Sequence, residues 1–565
     1  MQNLYDELVT LLSSDDSLVA EGRLLKNLAI ERALRLDPDL LRLLRSNDRL
    51  RQHFFADLGD IAVFDKVKFQ RFVNNKQFLP DSYTAYRNRI GLTAGDDYLA
   101  ERHDVVLAWP YKDCVLEGGQ DREDAQRNEV FWNETLAPDE IDRLLAPKAF
   151  TDFTRFSNKG EQKAESISAE DNLIIRGNNL LALHSLMPVY EEGIDLIYID
   201  PPFNTENDSF RYNDRFSRST WLSFMRSRLE AAKRLLRPSG TIYVHIDHNE
   251  GHYLKVLMDE IFGEHYFRNE IIWHYSGWNK KLSNRFERRH DTLLMYGKSD
   301  SPYFASFFEQ WESKEAYVRK RKQKLLVDDE GREYVLSDAG GGKRTKMYIE
   351  DVLKAGVVVD DVWHLDKLNN SAKEAIGFKT QKTEELLHRI ISASCPPDGV
   401  VLDFHLGSGT TAAVAHKMGR RYIGIEQLDY VETTTLARLK NVIAGDPDGV
   451  SSTLQWRGGG EFVYARLAEA NEAFVQRVRA ARSAEELEQI WSDMRERAFL
   501  SYRVNVQQFD TQAPDWAALS MADCKRLLIE TLDKNMLYVP YSEIDDESWG
   551  FSDADKALNR QFFGA

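Results

Sequence analysis

The sequence predicts an α/β fold in which helices cover both faces of a parallel sheet. Short apolar segments alternate with segments of helical periodicity over residues 171–262, and the same alternation returns over 376–445. In each stretch one apolar segment ends abruptly, at Asp200-Pro201-Pro202 in the first and at a glycine-rich turn after Asp403 in the second. Such alternation is typical of parallel sheets whose strands are connected by helices.

The chain is long enough for several folding units. At roughly 100–200 residues per domain, 565 residues correspond to about three or four units. Composition and periodicity predict five regions: a helical N-terminal region (1–105), the first half of an α/β core (106–300), a polar and basic insert (301–374), the second half of the core (375–445) and a helical C-terminal region (446–565).

Hydrophobic periodicity places the elements of the core. In the first half we expect strands at 173–175, 195–199 and 241–246 and helices at 180–186, 219–236 and 253–262. In the second half we expect helices at 383–393 and 411–418 and strands at 400–403 and 422–426. Helical periodicity in the C-terminal region is clearest over 467–481 and 484–500.

The composition predicts a soluble cytoplasmic protein. Hydrophobic residues make up 42% of the chain, and no run of about 18 apolar residues predicts a membrane-spanning helix. The N-terminus lacks the basic start and apolar stretch of a signal peptide. Cys114, Cys395 and Cys524 are far apart and form no Cys-x-x-Cys pair, so we expect neither a metal site nor a disulfide framework.

The charge of the chain is acidic overall but basic near its middle. A formal net charge of −17 argues against nucleic-acid binding if taken alone. Binding depends on local potential, however, and basic residues cluster between the two halves of the core. We interpret these clusters as candidate nucleic-acid contacts, with solvated helix faces as the alternative. The candidates are Lys280, Lys281, Arg285, Arg319, Arg321, Lys343 and Arg344.

A glycine-rich turn follows the predicted strand at 400–403. Glycines at a strand-to-helix turn let the backbone approach a ligand, and the helix N-terminus offers free N–H groups. Glu426, at the end of the next strand, has the position of an acid that binds ribose hydroxyls. The pattern predicts a nucleoside-containing cofactor, although a tight turn in any α/β protein could look the same. We call residues 403–411 the glycine loop.

A second rigid turn, Asp200-Pro201-Pro202-Phe203, follows the strand at 195–199. Two prolines fix the backbone and remove N–H donors, which leaves the Asp200 carboxylate and the Pro201 carbonyl as hydrogen-bond acceptors. Two such acceptors suit the amino group of a heterocycle, and the Phe203 ring could stack on its face. The alternative is a structural loop stiffened by prolines. We call residues 200–203 the Asp-Pro-Pro-Phe turn.

Together these residues resemble the β-class amino-methyltransferases of DNA, in which the Asp-Pro-Pro motif precedes the cofactor loop. Segments 78–84, 458–464 and 532–539 resemble the modification subunit of type III restriction–modification systems. The resemblance implies a Rossmann-like S-adenosylmethionine-dependent methyltransferase core with a mixed sheet and permuted motif order. It also implies that the insert at 301–374 is a target-recognition domain.

The resemblance further implies methylation of adenine N6 in double-stranded DNA, with the target base flipped out of the duplex. It implies a homodimer and a helicase/nuclease restriction subunit as partners. The implied catalytic residues are Asp200, Pro201, Pro202 and Phe203, and the implied cofactor-binding residues are Asp403, Phe404, Gly407, Ser408, Gly409, Thr410, Glu426, Lys382 and Asn178. The sequence departs from the family pattern at three positions, Asn178, Thr383 and His405.

Other functions stay open at this point. The chain could be a solitary methyltransferase without a nuclease partner, since it contains no helicase or nuclease motif of its own. It could also be a DNA-binding scaffold with an inactive core, although the intact Asp200 argues against this. An RNA methyltransferase is the third alternative.

Overall fold

A computed structural model describes residues 4–15, 18–20, 23–24, 26–58, 61–66, 68–69, 73, 93–94, 97–98, 143–205, 217–277, 283–338, 343–369, 371–500 and 520–564. The chain forms two compact units, Met1–Val106 and Leu107–Ala565. The segment at 78–84, Cys114, Lys280 and Lys281 lie outside the described residues.

The described part of the first unit is mainly helical. Its described elements are α1 (Leu4–Leu12), β1 (Val19–Ala20), β2 (Arg23–Leu24), α2 (Lys26–Leu34), α3 (Pro38–Arg45), α4 (Asp48–Phe54), β3 (Phe55–Leu58), β4 (Ile61–Phe64), β5 (Thr93–Ala94) and β6 (Asp97–Tyr98). Asp37 caps α3 by accepting hydrogen bonds from two backbone N–H groups, and Pro38 opens that helix. The antiparallel hairpin of β3 and β4 is an addition that the helical prediction missed.

The second unit carries an eleven-stranded sheet. Up to the end of the insert its elements are β7 (Phe150–Ser157), β8 (Gly160–Lys163), β9 (Leu173–Arg176), α5 (Asn179–Tyr190), β10 (Ile194–Ile199), α6 (Arg218–Leu235), β11 (Leu236–Ile246), α7 (Gly251–Phe262), β12 (Phe267–His274), β13 (His290–Gly297), β14 (Phe308–Glu309), α8 (Lys314–Arg321), β15 (Leu326–Val327), β16 (Glu333–Asp338), β17 (Arg344–Tyr348), α9 (Ile349–Ala355), β18 (Val357–Val358) and β19 (Val362–His364).

The remaining elements complete the sheet and add C-terminal helices. They are α10 (Glu384–Ser394), β20 (Val400–Asp403), α11 (Thr410–Lys417), β21 (Arg421–Glu426), α12 (Leu436–Ile443), α13 (Ser451–Leu454), β22 (Glu461–Leu467), α14 (Asn471–Ala480), α15 (Ala484–Arg497), α16 (Met521–Glu530) and α17 (Asp553–Phe563). Among the described residues, no helix is long and apolar enough to cross a lipid bilayer.

The sheet is mixed, with six parallel strands in sequence and antiparallel pairs on both sides of them. Its strand order is β19-β12-β13-β11-β10-β20-β21-β9-β22-β7-β8. The six strands from β11 to β22 are parallel, whereas β13, β7 and β8 pair antiparallel with their neighbours. Every strand and helix predicted for the two halves of the core has an observed counterpart, so the predicted α/β class is confirmed.

Alternate residues of β10 show why this sheet is buried on both faces. All six residues of the strand are buried. Ile197 and Ile199 pack into the core beneath α5, α6 and α7, while Leu196 and Tyr198 pack into the opposite core beneath α10 and α11. Successive side chains of a strand point to opposite faces, so an apolar strand of this kind needs a helical layer on each side.

The structure differs from the sequence prediction at the C-terminal side of the sheet. Leu467, predicted to begin a helix, instead ends strand β22, which lies between β9 and β7. The region 446–565, predicted to be helical, therefore supplies a central strand of the core. The antiparallel hairpin β7–β8 beside it was not predicted.

The insert is more ordered than its polar composition suggested. Strands β15, β16 and β17 form a small antiparallel sheet, and Tyr317, Val335, Ile349 and Val352 form a core of their own. Strand β19, which lies within the predicted insert at 301–374, pairs with β12 at the edge of the main sheet.

Candidate active site

Three carboxylates lie at the carboxyl ends of three adjacent parallel strands. Asp200 follows β10, Asp403 ends β20 and Glu426 ends β21. Ligands of open α/β sheets bind at this edge, and here a cavity of about 620 Å³, part of it open to solvent, lies against all three residues. It is lined by Tyr198, Asp200, Pro202, Phe378, Thr380, Lys382, Leu387, Asp403, His405, Leu406, Gly407, Ser408, Thr410, Thr411, Glu426, Leu428 and Tyr430.

The two oxygens of the Asp200 carboxylate differ in their surroundings. Oδ2 forms an ion pair with the ammonium group of Lys382, which also donates a hydrogen bond of 3.3 Å to the Thr380 carbonyl. Oδ1 is buried and has no hydrogen-bond partner among the described residues. A buried acceptor without a donor is costly, so Oδ1 is a position at which a ligand donor would be stabilised.

A buried histidine lies behind Asp200. The Nδ1 atom of His245 lies 3.0 Å from the Tyr198 hydroxyl and 3.7 Å from Asp200 Oδ1. On its other side, Nε2 is 3.7 Å from the carboxylate of Asp291, which pairs with Lys367 at 3.0 Å. Burial lowers the pKa of His245, and the charge of Lys382 lowers that pKa further. His245 is therefore mostly neutral near pH 7 and adds little charge behind Asp200.

A buried tryptophan is hydrogen-bonded to the backbone of the Asp-Pro-Pro-Phe turn. The buried indole N–H of Trp221 on α6 donates a hydrogen bond of 2.8 Å to the Pro202 carbonyl. The Phe203 ring packs 5.5 Å from the His245 ring, and the Lys382 ammonium lies 5.4 Å from the centroid of Phe203. The turn is thus fixed both by its prolines and by the helix beneath it.

The glycine loop is tied to the end of β21. The backbone N–H of Gly407 donates to Glu426 Oε2 at 2.9 Å, and the N–H groups of Gln427 and Leu428 donate to Oε1 at 2.9 and 3.1 Å. Gly409 has a φ of +78°, and a Cβ built there would lie 2.8 Å from the Thr435 methyl group. A side chain at Gly409 would therefore both strain the backbone and clash.

Burial changes the acidity of the two carboxyls beside the loop. Burial, with the nearby charges of Asp200 and Glu426, raises the pKa of Asp403 to about 7, although hydrogen bonds from Thr411 and the His405 N–H oppose the shift. Burial also raises the pKa of Glu426, against its backbone hydrogen bonds. Gathering three acids in one cavity favours a ligand that carries positive charge.

Thr410 connects the glycine loop to Lys382. Its hydroxyl donates to the Lys382 carbonyl at 3.3 Å and accepts a bond of 2.7 Å from Arg438. Arg438 in turn pairs at 3.0 Å with the buried carboxylate of Glu384, which also holds Lys417. This buried network fixes the start of α11 and the backbone of Lys382 relative to each other.

Most of the predicted site residues meet in the cavity, but three cofactor candidates, Phe404, Asn178 and Gly409, do not line it. Phe404 is 1% exposed and packs into the core beneath the sheet. The Asn178 side chain caps α5 by accepting hydrogen bonds from the N–H groups of Leu180 and Leu181. Pro201, Phe203 and Gly409 lie within the two turns without forming the cavity wall itself.

His405 lines the cavity without the character of an acid–base group. Burial lowers its pKa to about 3, and the charge of Arg228 contributes. Its Nε2 atom is buried without a hydrogen-bond partner among the described residues.

Sequence reasoning missed several aromatic residues of the wall. Phe378 and Tyr430 stack edge to face with their ring centroids 5.0 Å apart, and both line the cavity. Tyr198 was recognised only as part of a strand. None of these residues belongs to a motif, so only the fold brings them to the site.

The candidate nucleic-acid contacts within the described chain are exposed basic residues. Arg285 lies between β12 and β13, Arg319 and Arg321 lie on α8, and Lys343 and Arg344 lie at the start of β17. Their exposure is compatible with contacts to phosphate groups and equally with solvated surfaces, so their role stays a prediction.

Comparison with known proteins identifies the family. A family model described as "DNA methylase" matches residues 194–436, and one described as "Type III restriction/modification enzyme methylation subunit" matches 37–92. The "Probable type III restriction-modification enzyme HindVI Mod subunit" of Haemophilus influenzae is 34% identical over 100% of this chain and 99% of its own length. This chain belongs to the Mod subunits of type III restriction–modification enzymes.

Other Mod subunits match over part of the chain. The EcoP15I Mod subunit of Escherichia coli is 27% identical over 49% of this chain and 61% of its own length. Among solved structures, the complex of M1.HpyAVI with SAM is 18% identical and covers 47% of this chain and 98% of that chain, with a TM-score of 0.30. The family membership confirms the resemblance predicted from the Asp-Pro-Pro-Phe turn and the glycine loop, and with it the class of DNA methyltransferases.

Proposed function

We propose that this Mod subunit transfers the methyl group of S-adenosylmethionine to the exocyclic N6 of adenine in duplex DNA, as the modification and recognition subunit of a type III system. The observation that carries the proposal is the unpartnered Asp200 Oδ1 atom in a rigid turn at the cavity wall. An amino group of a base is a donor of the right kind for it.

The residues of the cavity fit the proposed cofactor. The glycine loop brings the backbone N–H groups at the start of α11 close to the cavity, and Glu426 lies where ribose hydroxyls would need an acceptor. The carboxyl groups of Asp403 and Glu426 lie at the cavity, where a sulfonium cation would favour their ionised forms. When bound, S-adenosylmethionine supplies an electrophilic methyl group. Gly407, Ser408, Gly409, Thr410 and Lys382 would form the rest of this binding site, and Phe404 would support it from the core.

The Asp-Pro-Pro-Phe turn holds and orients the target base in this mechanism. Asp200 Oδ1 and the Pro201 carbonyl accept the two N–H bonds of the adenine amino group, which directs the nitrogen lone pair outward, and Phe203 stacks on the ring. Rate enhancement comes mainly from alignment and from fixed acceptors. The methylated nitrogen loses a proton, for which the Asp200 carboxylate is the adjacent acceptor. Burial lowers the pKa of His245, and it lowers the pKa of His405 to about 3. Both imidazoles are therefore weak bases, and the proton goes to Asp200.

Lys382 holds the second oxygen of the Asp200 carboxylate. Its ammonium donates to Oδ2 and lies near the Phe203 ring, whereas Oδ1 has no hydrogen-bond partner among the described residues. The cation therefore fixes the carboxylate and leaves Oδ1 for the target amino group.

The substrate and partners follow from the family. The target adenine is flipped out of the duplex to reach the cavity, and Arg285, Arg319, Arg321, Lys343 and Arg344 contact phosphates or base edges. A restriction subunit with helicase and nuclease activity binds this chain, which acts as a homodimer in the cytoplasm. Co-purification with the restriction subunit distinguishes this assignment from a solitary methyltransferase.

The experiment is single-molecule methylome sequencing of DNA from cells that carry the wild type, Asp200→Ala or Asp398→Ala. Asp398 is exposed and lies just before β20, so it is a matched control. We expect N6-methyladenine at one sequence motif with the wild type and the control, and none with Asp200→Ala. Equal methylation in all three strains, or methylation of cytosine N4, would contradict the proposal.

A further inference from the structure

Phe286 is an apolar side chain that the described structure leaves in solvent. It is 96% exposed, more than any other large hydrophobic residue of the described chain, and lies in the connection between β12 and β13. Single exposed hydrophobic residues are ordinary on protein surfaces. What distinguishes Phe286 is its place in the fold and its neighbours.

The connection that carries Phe286 leaves the sheet at the edge where the active site lies. Strand β13 runs antiparallel to β11, so its first residues pair with the last residues of β11, as Thr292 does with Ile246. Strand β11 is the neighbour of β10, which ends at Asp200. At about 4.8 Å per strand, the start of β13 is about 10 Å from the strand of the catalytic turn.

Contacts hold the two described ends of the connection at this edge of the sheet. Arg288 contacts His248, which follows the end of β11. Arg289 donates a hydrogen bond of 2.6 Å to the Gly277 carbonyl, and the Tyr275 N–H donates to the Arg289 carbonyl at 3.0 Å. Phe286 lies between these anchored residues rather than in a free end.

The charge around Phe286 matches a polyanion. Arg285 and Arg288 are exposed and flank the ring in sequence, while the one acid among the adjacent residues, Glu287, pairs with Arg289 at 2.9 Å. Proteins that distort duplex DNA commonly insert an apolar side chain between bases while arginines contact the phosphates on either side. The same combination is present here, beside the cavity to which a base must be delivered.

We propose that Phe286 enters the base stack of the DNA when the target adenine leaves it, with Arg285 and Arg288 on the flanking phosphates. Phe286 is then a positioning residue, since it contacts DNA and not the reacting atoms. The inference rests on the proposed function, because it presumes a target base that is flipped into the cavity. Its energetic role is to fill the space that the adenine vacates.

A matched control residue lies at the amino ends of the parallel strands, opposite the carboxyl ends that form the active site. Phe304 is 58% exposed, and the preceding residue, Tyr303, donates its backbone N–H to the Ser239 carbonyl at 2.8 Å. Ser239 precedes the part of β11 that pairs with β10, so Phe304 lies at the amino ends of the parallel strands, away from Asp200. Phe304→Ala removes an exposed ring of the same kind without touching the proposed contact.

The experiment compares four full-length proteins: the wild type, Phe286→Ala, Phe286→Trp and Phe304→Ala. Each is assayed on two unmethylated duplexes that carry the sequence motif recognised by the wild type. One duplex pairs the target adenine with thymine, and the other has an abasic site opposite it, which makes flipping easier. Loss of base–aromatic stacking should lower kcat/KM of Phe286→Ala by about 5- to 100-fold on the paired duplex. We expect most of this loss to disappear on the abasic duplex, Phe286→Trp to retain activity, and Phe304→Ala to match the wild type.

A second measurement does not depend on methyl transfer. With 2-aminopurine at the target position, binding of the wild type should raise fluorescence as the base unstacks, and binding of Phe286→Ala should not. The inference would be overturned if the wild type and Phe286→Ala raised 2-aminopurine fluorescence equally. It would also be overturned if Phe286→Ala lost kcat/KM equally on both duplexes. A wild type that brightens the probe but transfers no methyl group would instead contradict the proposed function.

Discussion

Lys382 and Asp200 form an ion pair at the cavity although 182 residues separate them in the chain. Because the Lys382 carbonyl also accepts a hydrogen bond from Thr410, the contact links the Asp-Pro-Pro-Phe turn to the glycine loop. The two turns that the sequence presents as separate motifs are therefore parts of one site. A substitution in one turn should alter the position of residues in the other.

Trp221→Phe should weaken catalysis more than its effect on stability explains. The substitution removes the N–H that satisfies the Pro202 carbonyl, at a cost of about 1–3 kcal/mol, and loosens the turn, which should lower kcat by about 10- to 100-fold. Trp456→Phe removes an equivalent bond of 2.8 Å to the Val442 carbonyl and is the control. Thermal unfolding and single-turnover kinetics of both variants test this, and equal kcat in the two would contradict it.

Glu426→Gln should impair cofactor binding. Both carboxylate oxygens accept backbone N–H groups, so an amide must turn its NH₂ group towards one of these donors. The distorted loop should bind S-adenosylmethionine about 10- to 100-fold more weakly in calorimetry. Glu230→Gln changes a half-exposed acid on α6 and should bind normally. An unchanged dissociation constant for Glu426→Gln would show that the loop does not depend on this carboxylate.

His405→Phe should leave kcat/KM and its pH profile unchanged. The imidazole is buried with a pKa of about 3 and packs among aromatic rings, with Phe224 at 5.9 Å and Phe404 at 5.2 Å between centroids. A neutral ring can replace it. Loss of one limb of the pH–rate profile in the variant would reveal an acid–base role for His405.

Asp403 should make stability depend on pH. Its folded-state pKa of about 7 is above the ordinary value of 3.8, so its contribution is complete below about pH 4 and is lost as the pH rises to about 7. Between pH 5 and pH 8 the wild type should therefore lose about 2–3 kcal/mol relative to Asp403→Asn. Denaturant unfolding at both pH values tests this, with Asp398→Asn as the exposed control. A difference between wild type and Asp403→Asn that does not change with pH would contradict it.

The sequence alone predicted the two turns at the carboxyl ends of the parallel strands because neighbouring residues define each turn. A buried and mostly apolar strand ends just before Asp200, and a glycine loop follows the strand that ends at Asp403. Both positions could therefore be predicted from neighbouring residues. Their adjacency follows from the rules for parallel sheets, since the carboxyl ends of such strands lie at one edge.

Other features of the fold and of the site could not be predicted because they depend on contacts between residues far apart in the chain. The 461–467 segment became a strand because it pairs with β9 and β7, and periodicity cannot anticipate pairing across nearly 300 residues. The resemblance implied that Asn178 binds the cofactor, but its side-chain oxygen accepts hydrogen bonds from backbone N–H groups at the N-terminus of α5. Phe378 and Tyr430 reach the cavity only through the fold.

The central claim is that Asp200 accepts the amino group of the target adenine. The most direct measurement is single-turnover methyl transfer to a duplex carrying the recognition motif by Asp200→Asn, with cofactor affinity measured in parallel by calorimetry. The amide replaces a carboxylate acceptor with a donor, so transfer should fall by about 10³-fold while cofactor affinity stays near that of the wild type. Transfer by Asp200→Asn within about tenfold of the wild type, at equal cofactor occupancy, would contradict the claim.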